Sequence, residues 1–446
     1  MKIGFFNNII MGLVILFSQQ SFAITTIDIN KGSREALPIA VVSFVGEDED
    51  SQELGQEIAR VIESDLSSSG LFRPIDKAAF IEQITPHTLA PNFIVWRQIN
   101  ATSLVTGKIK SSGDNVEIIF QLWDPYSEKS IAGKGYELNK KSWRRAAHKI
   151  SDQIYHRLTG DTGYFDTRIA YISESGPSLK RIKKLAIMDH DGENHKFLTD
   201  GQNRALTPRF SPDGQKILYL SFPRKGEKRP ARVFIRDVHG TGKEKELGSF
   251  SGMSFAPRFN PAGDKVVMSV AEKGNTDIIL MDLATGVRKK LTRDSGLDVS
   301  PCYSPDGSKI AFTSDRGGSP QLYVMDADGS NVNRISFGSG IYSTPVWSPR
   351  NDYIAFTKQV RGAGFYIGVM RPDGKGERIL AQGFLVEGPA WSPNGRVIIF
   401  TRGERTYGEF SGMSKLYSID VTGFNEREIV TPVDASYADW SPLLGD

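Results

Sequence analysis

The side chains with chemical potential in this chain are six histidines, one cysteine and a serine that recurs through the C-terminal two thirds. Histidine pairs at short spacing would suggest a metal. His87, His148, His156, His190, His195 and His239 show no H-E-x-x-H or similar spacing. His190 and His195 share one hairpin and are expected at the surface. Asp189-x-Asp191-Gly192 and Asp326-x-Asp328-Gly329 begin like calcium loops but lack glycine at the sixth position, so they read as hairpin turns. Cys302 stands alone, which excludes an intramolecular disulfide and a cysteine zinc site. A serine hydrolase would need a G-x-S-x-G elbow and a separate α/β domain. That motif is missing, and residues 24–160 are too few for such a domain. A hydrolase or peptidase carrying a propeller is the alternative reading. The residues favour a non-enzymatic protein without cofactor or metal.

The recurring serine belongs to a repeat. Pro208-Arg209-Phe210-Ser211-Pro212-Asp213-Gly214 returns from Pro257, Pro301, Pro345 and Pro389, and a truncated copy is Asp439-Trp440-Ser441-Pro442. The second prolines, from Pro212 to Pro442, are 49, 44, 44, 44 and 49 residues apart. A period near 40–50 residues with strand patterning indicates four-stranded propeller blades. In the copy at Pro301, strand A is followed by a Pro305-Asp306-Gly307 turn. Strand B is Lys309–Ser314, strand C is Gln321–Asp326, and strand D is a short stretch near Arg334. The serine is expected to hold the turn backbone. The aromatic before it (Phe210, Phe259, Tyr303, Trp347, Trp391 or Trp440) is expected to pack between blades.

The ends of the repeat close on each other. Residues 168–199 carry strands B, C and D without an A, and the stretch at Trp440 is an A without its partners. Together they make one blade, giving six in a closed ring without free sheet edges. The fold class is multidomain α/β plus all-β: a small N-terminal α/β domain, then a six-bladed β-propeller closed by the C-terminal strand.

The expected boundaries are a cleaved signal at 1–23, a flexible segment at 24–32, the α/β domain at 33–160, a linker at 161–166 and the propeller at 167–446. Lys2, the apolar run Ile9 to Phe17 and Ser21-Phe22-Ala23 form the signal, with an uncleaved anchor as the alternative. The run is short for a membrane span. In the α/β domain, Pro38 to Phe44 reads as a buried strand. Asp50 and Glu53 resemble a capping box before a helix that ends at Gly70. Ala78 to Ile84 reads as a short helix, and Ser103–Lys110 pairs with Val116–Trp123. A last helix runs from N-cap Ser142 to Leu158. Net charge is +3, too small to suggest nucleic acid as a partner.

Together, Pro38-Ile39-Ala40-Val41-Val42, Ala146-Ala147-His148, Leu158-Thr159-Gly160, Thr167-Arg168-Ile169-Ala170-Tyr171 and Trp440-Ser441-Pro442-Leu443 resemble the TolB family of the Tol-Pal cell-envelope system. The resemblance implies a monomeric periplasmic protein that does not span the membrane and supports outer-membrane integrity and cell division. It implies two partners. The lipoprotein Pal would bind one propeller face, at positions including Met253, Ala256 and Val299. TolA would capture the N-terminal segment, here Ile24, Thr25, Thr26, Ile27, Asp28 and Ile29. Alternating isoleucines there suit strand addition, and a frayed terminus is the plain alternative.

The residues just before each strand A should ring the channel mouth. Four before the proline are Arg204, Met253, Leu297, Ile341 and Leu385, and two before are Leu206, Phe255, Val299, Ser343 and Glu387. The truncated copy contributes Ala435 and Tyr437 by the same count. This mostly apolar ring reads as a contact surface; simple packing beneath the loops is the alternative. Two basic B–C loops, at Lys180-Arg181-Ile182-Lys183-Lys184 and at Arg224-Lys225 with Lys228-Arg229, would share that face and steer an acidic partner.

Overall fold

Val, Ile and aromatic residues dominate the buried stretches, and Gly and Asn carry the turns between them. The result is a computed structural model describing residues 35–85, 87–88, 90–177, 180–223, 228, 230–239, 244–248, 250–404 and 413–445. The expected signal and the segment Ile24 to Ile29 lie outside these residues.

The N-terminal domain is one five-stranded sheet with helices against it. Its strands are β1 (Leu37–Val41), β2 (Phe72–Pro74), β3 (Ser103–Ser112), β4 (Asn115–Asp124) and β5 (Lys129–Asn139), in the order β2-β1-β3-β4-β5. β1 is parallel to both neighbours; β3, β4 and β5 run antiparallel. Helix α1 (Glu49–Ser68) buries Leu54, Ile58, Val61 and Ile62. Its N-cap is Asp48, which accepts from Ser51 N at 2.7 Å, so the capping residue lies two positions before the expected Asp50. Gly70 leaves the helix with φ +71°, as a chain reversal requires. The expected helix at 78–84 is only a 3₁₀ turn at Lys77–Ala79. The short helix of this region, α2 (Phe93–Gln98), comes later and anchors on buried Trp96. Helix α3 (Trp143–Thr159) packs on α1.

Residues 168–440 form six four-stranded antiparallel sheets. Blade 1 has strand A at Asp434–Trp440, B at Arg168–Ser175, C at Ile182–Asp189 and D at Lys196–Phe197. Trp440 pairs with Ile169 and Asp439 with Ala170, so the tail strand closes the ring. Blades 2 to 6 follow in chain order, their A strands at Arg204–Phe210, Met253–Phe259, Asp298–Tyr303, Ile341–Trp347 and Leu385–Trp391.

The repeat does what its chemistry suggests. Ser304 Oγ accepts from Lys309 N at 2.9 Å and donates to Asp306, sealing the A–B turn. Ser211 and Ser392 accept in the same way from Lys216 and Val397. Trp391 bridges blades, its Nε1 donating to Val346 O at 2.9 Å, whereas Trp440 Nε1 donates within its own blade's entry, to Thr167 Oγ1 at 2.8 Å.

The chain leaves α3 into residues that pack tightly. Tyr164 and Phe165 are buried, and their rings meet Tyr155 edge-on at 5.8 and 5.7 Å. Asp152 accepts from Phe165 N at 2.7 Å and Asp166 N at 3.0 Å. One apolar cluster runs from β1 and α1 through Tyr164 to Trp440 and Ile399, so the two domains share a core. The N-terminal domain contacts the propeller face carrying the A–B turns and C–D hairpins: Asn394 donates to Thr162 O, and Asn425 to Ser68 O. The opposite face is left to the D–A loops.

Candidate partner-binding face

The mouth of the propeller on that opposite face is built by one repeated device. Each A strand begins four residues before its proline or one residue later, so the ring positions lie inside or at the start of the strand, Leu297 excepted, which stands one residue ahead of Asp298. Pairing with strand B slips once in every blade, between Phe255 and Arg258 or Ser343 and Val346, for example. The residue just before the proline occupies the left-handed region: Thr207 (φ 48°), Ala256 (48°), Ser300 (56°), Thr344 (48°) and Gly388 (65°). The bulge frees that residue's N–H from the ladder, and in three blades a hydroxyl on strand B of the preceding blade accepts it. Ser269 accepts from Ser300 N at 3.1 Å, Thr357 from Gly388 N at 3.3 Å, and Thr401 from Tyr437 N at 2.8 Å.

Tyr437 has φ 51°, which corrects the register of the sixth copy. Tyr437 takes the bulge position, so its ring positions are Asp434 and Ser436 in place of Ala435 and Tyr437. Ala435 is fully buried. The sequence missed this because alanine replaces the expected proline at position 438, one residue earlier than the count assumed.

Along each strand the positions alternate. Ala205, Ser254, Asp298, Tyr342 and Val386 are buried, whereas Leu206, Met253, Phe255, Ala256, Val299, Ser343, Leu385, Glu387 and Tyr437 are half-buried. Arg204 is exposed, with its guanidinium over the Phe222 ring. Leu297 is 47% exposed and Ile341 40% exposed. Two residues of the D–A loops that sequence reasoning passed over, Phe337 at 73% and Phe384 at 56%, widen the apolar zone on the same side. The signal for Phe337 was an aromatic in a loop otherwise rich in Gly and Ser.

The ring is therefore unequal. Blades 3 to 5 present Met253, Phe255, Leu297, Val299 and Ile341. The closure side is polar. Lys183 pairs with Glu174 at 2.7 Å, Arg181 reaches Glu174 at 3.7 Å and bonds Asp434, and Ser436 donates to Glu174. Burial raises the Glu387 carboxyl above its ordinary range, against the hydrogen bond from Tyr437 that lowers it. The basic loop at 180–184 thus spends Arg181 and Lys183 on internal partners, and Lys184 sits over the Phe197 ring at 4.5 Å. In the second basic loop, Lys228 is exposed, while Arg224, Lys225 and Arg229 lie outside the described residues. Nearer the axis, Arg209 and Arg258 each stand 3.7 Å from Asp439. Burial holds Arg209 down to about 10, and the neighbouring Arg258 adds to that effect.

The histidines fall elsewhere. His190 is buried at the junction of the domains beside His148, against the expectation that it lies at the surface; Asp65 supplies the hydrogen bond that pays for its burial. His195 is not fully buried and meets the Phe197 ring. The Asp189 and Asp326 motifs are hairpins closed by Asp189 N to Glu193 O and Asp326 N to Ser330 O.

Compared with known proteins, residues 155–444 match the TolB beta propeller domain, and residues 25–131 match the TolB amino-terminal domain. The Tol-Pal system protein TolB of Rickettsia bellii is 52% identical over 270 residues, and that of Rickettsia prowazekii 49% over 271. Each match spans 60% of this chain and 60% of the relative. The crystal structure of TolB from Acinetobacter baumannii superposes with a TM-score of 0.79 at 29% identity, over 92% of this chain and 97% of that one.

Proposed function

The chain belongs to the TolB family, and from that premise we propose that it acts in the periplasm as a protein-binding component of the Tol-Pal system. It binds the lipoprotein Pal through the D–A face of its propeller and TolA through residues 24–29, and so supports outer-membrane integrity and constriction at division. The observation that supports a docking face most directly is the apolar arc over blades 3 to 5. Leu297 and Ile341 remain exposed although the fold offers buried positions next to each of them. No catalytic role is proposed, because the repeated serines are held in turns by backbone N–H groups.

The test is calorimetry with purified Pal and TolA domains. Met253→Asp places a charge in the arc and should weaken Pal binding at least about tenfold, roughly 1.4 kcal/mol, while leaving TolA binding intact. Deleting residues 24–32 should abolish TolA binding and spare Pal. Unchanged Pal affinity in Met253→Asp would remove the arc from the interface. Reversing Lys180 should lower the Pal association rate only slightly and chiefly at low salt, because its basic neighbours Arg181 and Lys183 are already paired with Glu174.

A further inference from the structure

Where the two domains meet, four ionisable side chains from both of them converge. Asp65 lies on α1 and His148 on α3; His190 and Asp191 lie on the C–D hairpin of blade 1. Asp65 Oδ2 faces His148 Nδ1 at 2.8 Å, and its Oδ1 faces His190 Nε2 at 2.9 Å. The single carboxylate thereby orients both rings, and each imidazole is used on one side only. His148 Nε2 and His190 Nδ1 are buried without a hydrogen-bond partner. Buried polar nitrogens are normally satisfied, so two unsatisfied ones in a single cluster ask for an occupant. His148 Nε2 looks toward Asp191 Oδ2 at 3.7 Å. One donor atom from each of the four residues lies within 4.8 Å of the other three.

We propose that His148 Nε2, His190 Nδ1 and Asp191, with Asp65 orienting both rings from their other nitrogens, bind a divalent transition-metal ion, zinc by their donor type, that clips the N-terminal domain to the propeller. Imidazole nitrogen with carboxylate oxygen is a zinc donor set, whereas calcium and magnesium take oxygen alone. Donors in a tetrahedral zinc site lie roughly 3.3 Å apart for bonds of about 2.0–2.1 Å, so the 3.7 Å between His148 Nε2 and Asp191 Oδ2 needs only a small side-chain shift. The surrounding charge suits a cation. Asp65 and Asp191 carry two negative charges against Arg144, which hydrogen-bonds Asp191 and orients that carboxylate. Asp189 and Asp166 add to the field, and Arg145 is occupied with Asp166 at 3.1 Å. Because the donors come from both domains, metal binding adds to domain docking and displaces any protons the rings hold.

The experiment uses the mature chain, stripped with chelator and titrated with zinc chloride by calorimetry, with melting followed in parallel. The expected result is one bound zinc per chain and a rise in melting temperature. His190→Gln can still donate to Asp65, so it removes a ligand while keeping that hydrogen bond; it should weaken zinc binding about 10–100-fold in a protein that remains folded by circular dichroism. His156→Ala and His195→Ala, outside the cluster, should bind as wild type does. No uptake by wild type, equal uptake by His190→Gln, or a melting temperature that ignores zinc would each overturn the site and leave the cluster as an ion network only.

Discussion

The mouth of the propeller and the junction between the domains are built in opposite ways. The mouth uses one device six times, a bulged strand with a left-handed residue, and in five of the six buried side chains alternate with more exposed ones. The junction uses each residue once, with Asp65, His148, His190, Tyr155, Tyr164 and Phe165 all buried and none repeated elsewhere. A repeated device tolerates variation at its outward positions, because the backbone bonds carry the fold. A unique device fails when one member is removed.

Asp65→Ala should therefore have the largest effect. It leaves two buried imidazoles without their shared acceptor, and breaking a buried pair of this kind costs about 3–5 kcal/mol. Urea unfolding should show the loss, and limited proteolysis should cut faster near Gly160–Gly163 as docking loosens. A loss below about 1 kcal/mol, in the range of an exposed pair, would mean that the junction is held by its apolar contacts alone.

The same contrast explains what could be read in the sequence. The blades were legible because proline, aromatic and serine recur at fixed places, and the closure at Trp440 followed from counting strands. The ring was legible to within one residue, and it slipped only where Ala438 replaces the marker proline. The junction was not legible. His148 and His190 are 42 residues apart, and neither lies near Asp65 in the chain; only the packing of α1 and α3 on blade 1 brings them together. His190 looked like a hairpin residue because it is one, and its burial is a tertiary fact. The helix expected at 78–84 failed for a related reason: Trp96, buried with Phe80 at 5.0 Å, draws the helical turn downstream.

A second junction prediction concerns pH. Burial pushes the Asp152 carboxyl up to about 7, against the two backbone N–H groups that lower it. Its pKa in the folded chain thus lies above the unfolded value, and the folded state holds the extra proton. Wild-type stability should fall as pH rises from about 4 through 7, by on the order of 3 kcal/mol from this group. Asp152→Asn cannot ionise, so its stability relative to wild type should grow over that window. Parallel urea midpoints for the two proteins across it would show that the carboxyl is not buried at this cost.

The bulges give a smaller effect. Ala256 holds φ 48°, a region that costs an L-residue roughly 1–2 kcal/mol. Glycine removes that strain but gives the unfolded chain more freedom, worth about 0.4–1 kcal/mol. Ala256→Gly should gain about 0.5–1 kcal/mol, measured as an upward shift in the urea midpoint with an unchanged slope. A loss would mean that the methyl group packs against the neighbouring blade more than its half-exposure suggests.

The smallest expected change in stability carries the most weight for the mouth. Leu297 is 47% exposed, and its N–H donates to Asp315 at 2.7 Å whatever side chain it bears. Leu297→Ser should therefore alter stability by no more than about 0.5 kcal/mol, as exposed substitutions do. If Leu297 is apolar because a partner covers it, the same substitution should weaken Pal binding by about 1–2 kcal/mol, the range for a truncated interface side chain. A leucine that mattered only to folding would show the reverse: a measurable loss in urea and none in calorimetry. The ratio of the two losses thus separates a side chain kept for docking from one kept for the blade, and the same measurement at Ile341 and Phe384 would trace how far the apolar arc extends.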